Sequence, residues 1–155
     1  MRLPAILVKS SSSSECLLEA LGTVVMFSKF FGKKPLPLSG APAVRRQKTY
    51  SAQSGYVYQY FYEGMRPASG GTEFVFTFSA DRKTSHPASV MVSEESLAQW
   101  EQSHARALSA TERYAIAKMA LFQAFDERAT PELMKQNVQV RAADVTTILD
   151  TLGLE

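Results

Sequence analysis

Tyr56-Val57-Tyr58-Gln59-Tyr60-Phe61-Tyr62 alternates so that four phenols share one face of an extended segment and Val57, Gln59 and Phe61 share the other. Thr72 to Ser79 repeats the period of two, with Phe74, Phe76 and Phe78 in one row. Between the two runs, Gly64 to Gly71 supplies Pro67, Gly70 and Gly71, the residue types that a chain reversal requires. The pair reads as an antiparallel hairpin. A register that sets Tyr60 against Phe74 and Tyr58 against Phe76 would put both aromatic rows on one face and make them core. A second turn at Asp81-Arg82-Lys83 leads through Pro87 to a short third strand at Ser89–Val92, completing a three-stranded meander over about residues 50–92.

Helical signals follow the strands. Ser93 is an N-cap, Glu94 and Glu95 lie where the helix dipole favours acids, and Val92 and Leu97 are spaced for a hydrophobic staple. The pattern predicts a helix over 94–107. Ser109 with Glu112 forms a capping box for a second helix, in which Tyr114, Ile116, Ala117, Met119, Leu121, Phe122 and Phe125 leave little polar surface. Thr130-Pro131 opens a short helical turn, residues 138–141 read as a brief extra strand, and Val145, Ile148, Leu149 and Leu152 mark a last helix closed by Gly153. Strands first and helices after is the order of an α+β domain, with two to three C-terminal helices on one face of an antiparallel sheet.

Upstream, residues 1–47 read as a basic, largely unstructured arm and 48–155 as the folded domain. The arm holds the Ser10–Ser14 tract and a Pro35–Pro42 linker with three prolines. Met26-Phe-Ser-Lys-Phe-Phe-Gly-Lys-Lys34 would serve as the start of a bacterial protein, so residues 1–25 read as a misassigned extension or a genuine tail. Phe27, Phe30 and Phe31 among lysines give this stretch the amphipathic look of an interfacial segment. Residues 1–48 carry eight Lys or Arg against two Glu, whereas 49–155 carry nine against thirteen acids, so a basic arm precedes an acidic body. Cys16 alone permits no internal disulfide and no Cys-rich zinc site, which suits a reducing cytoplasm. No apolar run fits a signal-peptide core, and the 17–31 stretch is broken by Glu19 and Lys29 and too short to span a membrane.

Two constellations are candidate sites. Tyr56, Tyr58, Tyr60 and Tyr62 offer ring faces for bases, sugars or a partner protein if exposed. Arg45, Arg46 and Lys48, with Lys29, Lys33 and Lys34, offer cations for phosphates or an anionic membrane. His86 with Asp81, Arg82, Lys83 and Ser85 is the one place where acid, base and hydroxyl cluster, although turn chemistry accounts for those residues as well. His104 shares a helical stripe with Leu97, Trp100 and Leu108 and reads as a partly buried structural histidine. Neither histidine has metal-ligand spacing, no cofactor is implied, and phosphate-loop, dinucleotide and hydrolase-elbow motifs are absent. The leading expectation is a non-enzymatic interaction module, with open sheet edges as a motive for a homodimer or protein partner. The alternatives are a nucleic-acid binder using arm and tyrosines, which the acidic body disfavours, and a small enzyme centred on His86.

Overall fold

A computed structural model describes residues 35–154; the expectations for the serine tract and for Lys29, Lys33 and Lys34 lie outside the described residues. The domain is α+β, with a mixed sheet of five strands in the order β1-β2-β3-β4-β5. These are β1 (Lys48–Ser51), β2 (Val57–Ala68), β3 (Gly71–Ser79), β4 (His86–Ser93) and β5 (Val138–Val140). The helices are α1 (Glu94–His104), α2 (Ala110–Glu127) and α3 (Ala142–Thr151), with a 3₁₀ turn at Pro131–Lys135.

The expected meander is β2-β3-β4, and two short strands widen it. Lys48–Ser51 pairs antiparallel with β2, setting Lys48 against Tyr60 and Tyr50 against Tyr58. At the far edge, β5 returns from the helices and pairs parallel with β4, Val90 against Val138. Only a long crossover can deliver a parallel neighbour, and α1, α2 and the 3₁₀ turn make up that crossover.

The register of the central hairpin differs from the sequence expectation. Tyr60 opposes Phe78 and Tyr62 opposes Phe76, with a bulge between Tyr62 and Gly64. The chain continues as strand through Arg66 and Pro67 and reverses only at Ser69-Gly70, where Gly70 takes φ 77°. Gly64 therefore belongs to the bulge rather than to the turn; its φ of 137° is a conformation that side chains with a Cβ rarely adopt.

Both aromatic rows still face the helices. Tyr58, Tyr60, Phe74, Phe76 and Phe78 are buried, together with Val90 and Val92 of β4. From α2 come Ile116, Ala117, Leu121 and Phe125, and from α3 Val145, Ile148 and Leu149. Phe125 lies flat on Tyr58 at 4.1 Å between ring centroids, while Phe122 stacks on Tyr50 at the same distance.

The caps form as read. Ser93 accepts from Ser96 N, and Ser109 and Glu112 complete the capping box of α2. Helix α1 stops at His104, short of the expected end, because Ala105 turns left-handed (φ 52°) and donates its N–H to Glu101 O. Ahead of β1, residues 37–47 lie on the sheet as a strap. Ser39 exchanges both backbone hydrogen bonds with Met65, at 2.7 and 2.8 Å, in the segment that the prolines had marked as a linker.

Candidate binding cleft

Successive residues of an extended strap point to opposite sides, and this separates the basic cluster. Arg45 turns to the sheet face away from the helices, where its guanidinium lies 3.7 Å from the Phe61 ring centroid and forms a fork with both carboxylate oxygens of Glu63. Its charge is matched. Arg46 and Lys48 turn to the other side, and with Gly40, Pro42, Ala43, Val44, Tyr60, Tyr62 and Tyr114 they line an open cleft of about 440 Å³.

The floor of the cleft is aromatic. Tyr62 packs on Tyr114 at 4.7 Å, and Tyr60 meets Phe122 edge-on at 5.6 Å. Tyr114, Lys118 and Phe122 recur at a spacing of four and so share one stripe of α2. Lys118 places its ammonium 5.5 Å from the Phe122 centroid. Burial, and then the Lys48 ammonium, hold the Lys118 amine below the usual lysine range.

Every side-chain polar group assembled here is a donor or a cation. Burial pushes the Tyr60 phenol up to about 12, with the neighbouring Tyr114 adding to the effect, and raises Tyr62 and Tyr114 as well. All three are neutral hydroxyls at physiological pH. No carboxylate lines the cleft. Asp126, two turns beyond Lys118 on α2, accepts from Tyr50 Oη at 2.7 Å and from Gln53 N at 2.8 Å. The opposite arrangement holds on the far side of α2, where Arg113 pairs with Glu94 and Glu101.

Comparison with family models, curated proteins and solved structures returned no match for this chain.

The tyrosine row does not form a single platform. Tyr58 and Tyr60 are 0% and 2% exposed, because Phe125 and Phe122 cover them from α2, and neither can offer a free ring face to a base. Of the two readings that the alternation left open, platform or core, Tyr58 and Tyr60 follow the core one. Tyr56 stands at the exposed end of the row, and Tyr62 is half-buried in the cleft wall.

His86 lines a separate, smaller cleft of about 210 Å³ with Tyr56, Asp81, Thr84 and Glu132, while Arg82 lies outside it. Asp81 is occupied as a turn cap, accepting from Lys83 N and Thr84 N at 2.8 Å each and from Ser79 Oγ at 3.2 Å. The two backbone donors hold its carboxyl down to about 2. A carboxylate depressed in this way adds stability above its unfolded value and loses that contribution as pH falls through its folded one. We expect Asp81→Asn to flatten the acid limb of a stability–pH curve between about pH 4 and 2, as followed by urea midpoints; an unchanged limb would show that the cap contributes nothing.

His104 is more exposed than its stripe implied, yet it is held: its ring stacks on Trp100 at 4.0 Å and its Nδ1 lies 3.0 Å from Trp100 O. Arg128, at the end of α2, bonds the carbonyls of Leu133, Gln136 and Asn137 instead of an acid. Among the described residues no cluster of three His, Cys, Asp or Glu could hold a metal, and no helix is long and apolar enough to cross a membrane.

Proposed function

We propose that this domain is a non-enzymatic binding module whose ligand occupies the cleft beneath the 40–46 strap. The ligand class is a small organic anion with a flat apolar body. The single observation that carries this reading is the one-sided chemistry of the cleft, where Arg46, Lys48 and three neutral phenols offer donors and no side chain accepts with a full charge. An acceptor-rich ligand satisfies these groups, and its planar part meets Tyr62 and Tyr114. The volume of about 440 Å³ is in the range of small-molecule sites.

A nucleic-acid role draws less support, since Arg45 is matched by Glu63 and the rings of Tyr58 and Tyr60 are covered. Catalysis at His86 is weakened by the engagement of Asp81 in its own turn.

The test is calorimetric titration with 2-naphthoate as probe. Wild-type protein should bind, naphthalene methanol should bind far more weakly, and Arg46→Ala with Lys48→Ala should lose at least about tenfold, or ~1.4 kcal/mol. Equal affinity for the neutral probe would refute an anion site. Tight binding of single-stranded RNA with steep salt dependence would favour the nucleic-acid reading instead.

A further inference from the structure

We propose that the outer edge of β5 takes up an extended, uncharged peptide segment of a partner protein as a sixth strand, with Gln139 as the residue that pairs with it. This site is separate from the cleft beneath the strap and does not depend on it.

β5 is the last strand of the sheet, so β4 alone pairs with it. A second open cleft, of about 310 Å³, is lined by the five consecutive residues 137–141. Side chains of an extended segment alternate between two faces, and here Val138 and Val140 are buried while Gln139 is exposed. A cleft that touches all five residues in turn therefore follows the backbone edge and not one face. Its other walls are Ala120, Gln123, Ala124 and Glu127, which share one stripe of α2, and Asp144 of α3.

The direction of each backbone group follows from its partner. Arg128 Nη2 donates to Asn137 O at 3.3 Å, and Arg141 N donates to Asp144 Oδ2 at 2.8 Å. Arg128 and Asp144 both line the cleft, so residues 137 and 141 turn these groups away from β4. Val140 O goes the other way, accepting from Ser96 Oγ of α1 at 3.5 Å. Along a strand the N–H and C=O of one residue point to the same side, and the next residue points its pair to the opposite side. Gln139 shares the parity of 137 and 141, so its N–H and C=O face the cleft, where neither finds a partner among the described residues. Arg128 and Asp144 close the row at its two ends and leave an opening one residue long.

A peptide group is what this opening matches. Gln139 offers one donor and one acceptor along the edge, the pair that a residue of an added strand returns. The carboxamides of Gln123, Asn137 and Gln139 each add donors and an acceptor, and none is hydrogen-bonded among the described residues. The charges in the lining cancel, Arg128 and Arg141 against Glu127 and Asp144, so this wall suits a neutral polar chain where the cleft beneath the strap suits an anion. The small side chains of Ala120 and Ala124 leave room on the helix side. A lone strand fits between these walls, whereas a second copy brought edge to edge would press its own α2 and α3 against them.

The experiment follows amide hydrogen exchange by NMR in the full chain, with the blocked pentapeptide acetyl-Thr-Val-Ser-Val-Thr-amide as probe. The control is the same sequence N-methylated at every residue, which cannot donate. In the free protein the Gln139 N–H should exchange as an unprotected amide while the Val140 N–H, turned toward β4, is protected. Millimolar pentapeptide should slow exchange at Gln139 at least about tenfold, and the N-methylated form should not. Gln139→Pro removes a donor on the side away from β4, so the melting temperature should hold while peptide affinity falls at least about tenfold. Val140→Pro, which removes a donor to β4, should destabilise the domain instead. Protection of the Gln139 N–H in the free monomer, or no slowing by the pentapeptide, would overturn the proposal. Protection that rises with protein concentration alongside a dimer would overturn it too, by assigning the edge to a second copy.

Discussion

Phe125→Ala should lower the unfolding free energy by about 3–5 kcal/mol, the range for removing a large aromatic from a packed interior. Phe125 is fully buried and forms the hub of the ring cluster. It stacks on Tyr58 at 4.1 Å and also meets Tyr50, Tyr60 and Phe78 at 6.0, 6.4 and 6.2 Å. Truncation leaves a void bounded by β1, β2, β3 and α2, and stiff rings collapse into a void poorly. Urea melts followed by near-ultraviolet circular dichroism measure the loss. The same truncation at Phe122 should cost less, since that ring is only half-buried and covers Tyr50 near the surface. A loss under about 1 kcal/mol at Phe125 would mean that the aromatic rows are not the centre of the core.

Gly71→Ala is the second large effect, about 3 kcal/mol or more. Gly71 opens β3 opposite Ser93, where β4 ends and α1 begins. A Cβ built at Gly71 collides with the carbonyl oxygen of Val92 and lies 2.9 Å from Ser93 Cα. Both obstacles are backbone, so no rotamer relieves the contact. The strand would have to move away from β4, disturbing the start of the helix whose first N–H, from Glu94, bonds Gly70 O at 3.0 Å. Thermal unfolding is the measurement. Its control is Gly70→Asn next door, where nothing lies within 4 Å and the left-handed φ is one that asparagine tolerates, so the cost should be small. Equal loss at the two sites would show that backbone conformation, not the close approach, governs this corner.

The elements visible in the sequence are those whose cause is local. The alternation of β2 and β3, the N-cap at Ser93 and the capping box at Ser109 are written within a few residues, and each forms where read. The elements that were not visible exist only through partners far along the chain. Lys48–Ser51 has no pattern of its own and becomes a strand by pairing with β2, and Gly64 looks like a turn glycine until Ser39 is found beside it. The cleft divides in the same way. Arg46 and Lys48 stand out as charges, but Tyr114 lies on a helix more than sixty residues later.

The long second strand has one further consequence. β1 pairs only with Val57 to Tyr60, so residues 61–68 of β2 would offer a bare row of amides and carbonyls to any passing chain. The bridge to Ser39, the bulge at Gly64 and the missing N–H of Pro67 interrupt that row in succession. During synthesis the strap emerges from the ribosome before the strand it covers. The guard is therefore available as soon as the hazard appears, and neighbouring nascent copies meet a closed margin instead of a template for aggregation.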